Sequence, residues 1–205
     1  MADAIYDNQV PPAWVKKGFL SLKPLASWIE DCNARISFLT KWISGGTPQV
    51  YWISGLFFPQ AFFTGNLQNF ARQRTVAVDR LSFSFDFRDD ITSEDVTGKP
   101  EVGCYAYGAY LEGCKWDYDT HQLAASEPKK LFVDLPLLHL VPTEERAVPD
   151  TGIYICPMYK VLSRTGTLST TGHSTNFVMY LEVPSSTEPE VWIKAGVAAF
   201  LALRY

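Results

Sequence analysis

The sequence predicts an α+β fold in which N-terminal helices are followed by antiparallel strands. Apolar residues recur at steps of three and four over residues 25–43, which is the period of an amphipathic helix. Residues 81–87 alternate apolar and polar side chains, which is typical of a strand with one buried face. Many short strand patterns follow, separated by turn residues. We therefore expect a helical subdomain over residues 1–76 and an antiparallel barrel or sandwich over residues 77–205.

The clearest helix covers residues 24–44. Pro24 suits the first helical turn, where its missing N–H costs nothing, and Gly45-Gly46 suits the end of the helix. The periodic apolar positions of this helix are Leu25, Trp28, Ile29, Cys32, Ile36, Leu39 and Ile43.

Two further helices are predicted before residue 76. Thr47-Pro48 has the residue types of a helix start, so we expect a second helix through residues 50–53 toward Gly55. Pro59 opens a third helix over residues 59–73. Residues 56–58 between them are strongly apolar, which indicates either core at a helix junction or a docking face.

The second part of the sequence reads as strands and loops. Residues 89–100 are polar and are expected to form a loop. A hairpin is expected from residues 103–111 and 114–117, with glycines 103 and 108 marking bulges or close backbone approach. Other strand candidates are residues 131–134, 137–141, 153–155, 158–162 and 177–183, while residues 191–203 fit either a helix or a strand.

Composition excludes several classes of function. The net charge is −4 and the isoelectric point is near 5.4, so no basic surface for nucleic acid is expected. No apolar run reaches the roughly 18 residues that span a bilayer, and residues 1–12 do not resemble a signal peptide. The cysteines at positions 32, 104, 114 and 156 form no Cys-x-x-Cys pair and are expected to be reduced thiols, although Cys104 and Cys114 could face each other across the hairpin.

The search for catalytic, cofactor or metal residues gives none. The three histidines, at positions 121, 139 and 173, lack metal-ligand spacing, and His139 fits a satisfied strand residue. The Ser/Thr/Gly stretch over 165–174 has no lysine after its glycines, and a strand pattern follows where a P-loop requires a helix. The acidic residues Asp89, Asp90, Asp117 and Asp119 are interpreted as solvated loop charges.

Several stretches of the sequence, taken together and in order, are similar to the C-terminal region of dynein heavy chains. The most specific is Tyr51–Arg72, which begins Tyr-Trp-Ile-Ser-Gly-Leu-Phe-Phe-Pro-Gln. The others are Ser21–Trp28, Gly108–Gly113, Lys115–Asp117, Cys156–Lys160 and Leu168–Val178. The matches span essentially the whole sequence, and those in the last two stretches resemble axonemal more than cytoplasmic dyneins. Because heavy chains are far longer, the resemblance also implies that this sequence is a fragment.

The resemblance implies a non-catalytic domain of helices followed by a small, incomplete antiparallel β-barrel. In this family the domain lies on the AAA+ ring of the heavy chain and tunes a microtubule motor of cilia and flagella, while ATP and Mg bind elsewhere. We expect the partners to be ring modules of the same heavy chain and, as a further option, other dynein or axonemal subunits, with no nucleic acid and no membrane.

The aromatic residues of the helical part are the candidate ring contacts, because interface cores are enriched in such side chains. They are Trp28, Trp42, Trp52, Phe57, Phe58, Phe62 and Phe63. Three alternative roles stay open: a passive brace of the ring, a ligand-binding barrel with a deep apolar cavity, and a hydrolase with a cryptic site.

Overall fold

A computed structural model describes residues 1–144, 147–170, 172 and 174–203. Helices dominate the part before residue 76, and strands dominate the part after it. The predicted α+β class is therefore confirmed.

Two long helices form the N-terminal part. α3 covers Leu25–Gly45 directly after Pro24, and Gly46 ends it with a φ of 83°. α4 covers Pro59–Arg74 and ends at Thr75, which adopts the left-handed conformation with a φ of 58°. Both predicted helices are confirmed to within a residue at each end. Two short helices precede them, α1 at Ala2–Tyr6 and α2 at Pro12–Val15.

The helix predicted from Thr47 toward Gly55 is wrong. Val50–Trp52 forms a short strand, β1, and Ile53–Gly55 forms one turn of 3₁₀ helix. β1 pairs in parallel with a strand from the second half of the sequence, with Tyr51 opposite Ala106. Val50 is β-branched and is followed by two aromatic residues, and these residue types favour a strand. Pairing with a strand that is distant in sequence stabilises this conformation over the predicted helix.

The remaining strands and the last helix lie after residue 80. They are β2 Leu81–Arg88, β3 Cys104–Tyr107, β4 Tyr110–Glu112, β5 Cys114–Asp117, β6 Gln122–Ala125, β7 Phe132–Asp134, β8 Leu137–Glu144, β9 Ile153–Val161, β10 Phe177–Pro184, α5 Pro189–Ala195 and β11 Ala198–Ala202. Residues 89–100 contain no strand or helix, as predicted. The two candidates at 153–155 and 158–162 are one strand, β9. The ambiguous segment over 191–203 holds both a helix and a strand, divided at Gly196.

The described strands form three sheets. Their orders are β1-β3-β8-β2, β10-β9-β11-β4-β7 and β5-β6. Most neighbours are antiparallel, but the pairs β1–β3 and β9–β11 are parallel. Within the described ranges no sheet closes on itself, so the predicted incomplete barrel is not confirmed.

The predicted hairpin over residues 103–117 is also wrong. β3 pairs with β8, β4 pairs with β11 and β7, and β5 pairs with β6, so these three consecutive strands enter three different sheets. Gly108 and Gly113 separate the strands at φ values of 94° and 79°, which turn the backbone from one sheet into the next. The alternation of buried and exposed residues within each strand is visible in the sequence. The identity of the strand with which each one pairs is not.

The hydrophobic core draws on both parts of the sequence. Tyr51, Ile53 and Phe63 pack in one cluster with strand residues such as Leu111 and Leu140. The helical part also contributes β1 to a sheet. The division into two subdomains near residue 76 stays a prediction.

Gly103 illustrates how closely two backbones approach at the start of β3. Its φ is 79°, and a Cβ added there would lie 1.9 Å from the carbonyl oxygen of Leu140 on β8. That distance is far inside van der Waals contact, and the added atom would meet backbone that is held in the sheet. The close approach predicted for this glycine is confirmed.

We predict that Gly103→Ala lowers the free energy of unfolding by at least about 2 kcal/mol, since it combines a left-handed φ with a clash against β8. Two matched variants separate these causes in urea denaturation. Gly152→Ala has a φ of 80° but open space and should lower the free energy of unfolding by only about 1 kcal/mol. Gly98→Ala has neither a left-handed φ nor a clash and should leave the free energy of unfolding unchanged. Equal stabilities for the Gly103 and Gly98 variants would contradict the assigned role of the close approach.

Candidate interaction surface

Arg35 is the centre of the helical part. It lies on α3 and is only 4% exposed despite its charge. Its Nε and Nη2 donate to Oδ2 of Asp31 at 3.2 and 3.1 Å, and its Nη1 donates to the carbonyl oxygen of Leu56 at 3.2 Å. The guanidinium carbon lies 3.9 Å from the ring centroid of Phe19. Arg35 therefore joins α3, the segment before it and the segment before α4.

The Asp31–Arg35 pair follows from helix geometry, because residues four apart lie on one face of a helix. Lys23 adds a longer ion pair to Asp31 at 3.9 Å. Burial lowers the pKa of Arg35, and the attraction of Asp31 offsets this only in part. Since the charge is costly to bury, the neighbouring carboxylate and carbonyl are required for the structure.

Aromatic rings extend this cluster across the helical part. Phe19 stacks on Trp28 with centroids 5.2 Å apart and meets Phe57 edge-on at 5.8 Å. A second row links α3 to β2 through successive contacts of 4.8 to 6.1 Å between Trp42, Tyr51, Phe62, Phe63 and Phe83. Such rows hold α3 and α4 in fixed positions relative to the sheet.

Two buried amides tie the helices to the second sheet and order the Ser/Thr/Gly stretch. Gln60, in the first turn of α4, donates from Nε2 to the carbonyl oxygens of Phe177 at 2.8 Å and Ser174 at 3.1 Å. Asn176 is 1% exposed, accepts from the backbone N–H of Val161 at 3.0 Å and donates to the carbonyl oxygen of Thr165 at 2.9 Å. These hydrogen bonds therefore hold the Ser/Thr/Gly stretch in place at the start of β10. Thr171 and His173 lie outside the described residues.

Three isoleucines of α3 are exposed to solvent. Ile29, Ile36 and Ile43 are 40%, 53% and 86% exposed, while Leu25, Trp28, Asp31 and Arg35 are the buried residues of this helix. The isoleucines belong to the predicted apolar face of the helix, yet they do not enter the core. Sequence periodicity found the apolar positions but could not show that a buried ion pair lies on the inner face.

Comparison with known proteins identifies the family. A family model described as the C-terminal domain of the dynein heavy chain matches residues 1–201. The protein belongs to this family. It is 50% identical over 205 residues to dynein axonemal heavy chain 1 of Homo sapiens, a match that includes 100% of this sequence and 5% of that protein. Dynein axonemal heavy chain 12 of Homo sapiens is 42% identical over 203 residues, covering 99% and 6%, and dynein axonemal heavy chain 3 of Homo sapiens is 43% identical over 196 residues, covering 96% and 5%.

This dynein C-terminal domain thus spans about a twentieth of the length of the relatives that it matches. The predicted resemblance to dynein heavy chains, and to the axonemal ones, is confirmed.

The predicted ring contacts differ widely in exposure. Trp28 and Phe63 are buried, and they pack inside the domain. Trp42, Trp52 and Phe62 are half-buried, while Phe57 and Phe58 are 38% and 46% exposed. Residues 56–58 are therefore both a junction between elements and an accessible apolar surface. A contact with the ring stays a prediction for every one of the seven residues.

One of the acidic residues interpreted as solvated loop charges, Asp89, has a side chain that is shielded from solvent. The Asp89 side chain is 6% exposed and accepts from Nε1 of Trp116 at 2.7 Å. Its Oδ2 also lies 2.8 Å from Nδ1 of the exposed His121. Burial alone would raise the pKa of Asp89, but these two hydrogen bonds outweigh it and lower the pKa. Asp89 therefore fixes the β5–β6 hairpin against the loop after β2.

A surface cleft of about 460 Å³ opens beside this acidic loop. It is lined by charged residues such as Arg88 and Asp95 together with Tyr107 and Tyr110. A mixed lining of this kind differs from the deep apolar cavity that a small-molecule barrel requires.

Three buried thiols lie in the strands. Cys104, Cys114 and Cys156 are free, and burial raises the pKa of Cys104 and Cys114 to about 12. Cys104 and Cys114 do not face each other across a hairpin, since β3 and β5 belong to different sheets.

Metal ligation and membrane insertion find no support in the residues that the structure describes. Over residues 1–144, 147–170, 172 and 174–203 there is no group of three or more His, Cys, Asp or Glu that could hold a metal ion. No helix in these same ranges combines the length and the apolar character needed to cross a membrane.

We predict that Asp31→Ala lowers the free energy of unfolding by about 3 kcal/mol, because it leaves the buried guanidinium of Arg35 without its carboxylate. The double variant Asp31→Leu with Arg35→Met should lose less than Asp31→Ala alone, since it removes the buried charge. Urea denaturation measures both variants. A double variant that is less stable than the single one would contradict this interpretation of the pair.

The contact between Asp89 and His121 predicts a pH effect. The hydrogen bond and charge of Asp89 raise the pKa of His121 above its ordinary value of 6.5. Because the pKa of His121 is raised in the folded state, the Asp89–His121 contact contributes to stability below pH 6.5. This contribution is lost as the pH rises through the folded-state pKa of His121. NMR titration should show the pKa of His121 above 6.5 in the wild type and lower in Asp89→Asn, whereas an Asp119→Asn control should shift it less.

Proposed function

We propose that the protein is the non-catalytic C-terminal module of an axonemal dynein heavy chain, working in the cytoskeleton of the ciliary or flagellar axoneme. In this proposal it packs on the AAA+ ring of its own heavy chain and tunes an ATP-driven, minus-end-directed microtubule motor. ATP and Mg bind elsewhere in the heavy chain. Family membership and the names of the relatives support the assignment to a motor.

The observation that supports the regulatory role is an exposed apolar surface whose flanking residues are hydrogen-bonded to two different parts of the domain. Phe57 and Phe58 are exposed between two anchored residues, Leu56, whose carbonyl accepts from Arg35, and Gln60, which binds the start of β10. A contact made at these rings therefore reaches both α3 and the second sheet without an intervening flexible segment. A partner that moves one part of the domain must move the other.

Such a module alters a motor only if it binds the states of the ring with different free energies. An apolar surface on a rigid body suits that requirement, because it fits one arrangement of its partner better than another. A passive brace binds all states equally and leaves the motor cycle unchanged. Other dynein or axonemal subunits are the alternative occupants of the same surface.

We expect deletion of residues 1–205 from the intact heavy chain to change the microtubule gliding velocity or the ATPase rate. The physical reason is the loss of a contact that favours some ring states over others. Gliding assays and steady-state ATPase measurements on the same preparation provide the test. Unchanged values would overturn the regulatory role and leave a passive brace.

A second arm of this experiment locates the contact. Phe57→Ser with Phe58→Ser in the intact heavy chain should reproduce part of the deletion effect. Ala61→Ser, at an exposed position in the first turn of α4, is the matched control and should leave the motor unchanged. If the double variant behaves like the control while the deletion does not, the contact lies elsewhere on the domain.

A further inference from the structure

Two neighbouring surface clefts meet at the short strand β7. The first is the cleft of about 460 Å³ beside the acidic loop, and its lining includes Asp134 and the residues that follow β7. The second has a volume of about 580 Å³ and is lined by all three residues of β7. Tyr118 and Asp134 line both clefts, and both residues are exposed. The two clefts together are called the β7 groove below.

The β7 groove concentrates the net negative charge of the sequence. Seven carboxylates and three basic side chains line its two clefts, which leaves an excess of four negative charges. The whole sequence has a net charge of −4, so the charged residues outside the groove balance one another. Among the described residues, Asp119 and Asp134 form no salt bridge, whereas Glu127 is paired with Lys115 and Lys130. The groove therefore attracts a positively charged partner and repels a negatively charged one.

Aromatic rings lie in the groove beside these carboxylates. Tyr107 and Tyr118 are 37% and 60% exposed and line the first cleft, and Phe132 lines the second. A guanidinium group can bind a carboxylate through its N–H groups while it stacks on an aromatic ring. The groove thus has the chemistry that binds arginine side chains, and also lysine side chains.

The edge of β7 is an observation that does not depend on charge. β7 is the last strand of its sheet and pairs only with β4 in the described part of the domain. The backbone N–H of Leu135 donates to the carbonyl oxygen of Ala109 at 2.9 Å. Because main-chain groups alternate in direction along an antiparallel strand, Val133 also bonds toward β4, while Phe132 and Asp134 direct their N–H and C=O groups away from it. An unpaired edge of this kind is where an extended peptide adds as a further strand.

We propose that the β7 groove binds an extended basic segment of a separate protein, which adds to the free edge of β7 as a strand and places arginine or lysine side chains in the two clefts. Side chains two residues apart lie on the same face of a strand, so the segment carries basic residues at alternate positions. The proposal goes beyond the proposed function, because it concerns another surface and does not require that the domain tune the motor.

The properties of the groove favour a separate protein as the occupant. The cavities beside Phe57 and Phe58 share no lining residue with the groove, so both surfaces can be occupied at the same time. A concentrated charge accelerates the encounter of separate molecules, which a tethered segment does not need. A second copy of this domain is disfavoured, since it carries the same net negative charge.

A fluorescent peptide that alternates arginine and threonine is the first probe, and fluorescence anisotropy measures its binding to the intact heavy chain. We expect Asp119→Asn with Asp134→Asn to weaken binding about tenfold, because it removes two carboxylates that would pair with the arginines. Asp79→Asn with Asp150→Asn removes the same charge at two exposed positions outside the groove and should leave the Kd unchanged. Absence of binding to the wild type, or an equal loss in both variants, would overturn the inference.

Two N-methylated forms of the probe test the addition of a strand. One form is methylated at the backbone nitrogen of every threonine and the other at that of every arginine, and both keep the charge of the probe. Successive N–H groups of a strand point to opposite sides, so only one of the two forms keeps the N–H groups that face β7. We expect their affinities to differ at least about tenfold. Equal affinities would show attraction by charge alone and contradict the added strand.

A photo-crosslink in the assembled dynein complex tests the source of the segment. Leu131 directly precedes β7, is 72% exposed and lines neither cleft, so benzoylphenylalanine in its place leaves the groove intact. We expect an adduct with a separate polypeptide that maps to a segment with basic residues at alternate positions. An adduct within the heavy chain, an adduct with a segment that lacks this pattern, or no adduct would overturn the inference. None of these results changes the motor effect expected for Phe57 and Phe58, so the two proposals fail separately.

Discussion

The buried guanidinium of Arg35 contacts residues from three different segments of the protein. Asp31 lies one turn earlier on the same helix, Leu56 precedes α4, and Phe19 belongs to the irregular segment before α3. Removing the carboxylate of Asp31 would leave the buried charge of Arg35 without its counter-ion, which is costly. The positions of α3, of the N-terminal segment and of residues 56–58 therefore depend on one another through this single side chain.

The same constraint explains the unusual distribution of apolar residues on α3. Because the inner face holds an ion pair and the aromatic rings that surround it, the isoleucines are left on the outside. Ile29, Ile36 and Ile43 are therefore accessible apolar side chains of the helical part, in addition to Phe57 and Phe58.

The second half of the sequence gives the helices a rigid base. Gln60 and Asn176 bind backbone groups at the start of β10 and at the end of β9, and α4 is fixed to the sheet where β10 begins. The consecutive strands β3, β4 and β5 enter three different sheets, so contacts between residues far apart in sequence hold this part of the domain together. Contacts of this kind connect the helices and the sheets of the described residues into one hydrophobic core.

The sequence by itself determined the α+β class, the two long helices, the alternating strands and the family. These follow from local period, from prolines and glycines at helix ends, and from motifs in order along the polypeptide. It did not determine that Val50–Trp52 is a strand, that β3, β4 and β5 separate into three sheets, or that Asp89 is buried. Nor did it show that Trp28 and Phe63 are covered while Ile36 and Ile43 are accessible. Only the tertiary structure decided these points, because strand partners and the buried face of a helix are set by contacts between residues distant in sequence, and local periodicity carries no information about them.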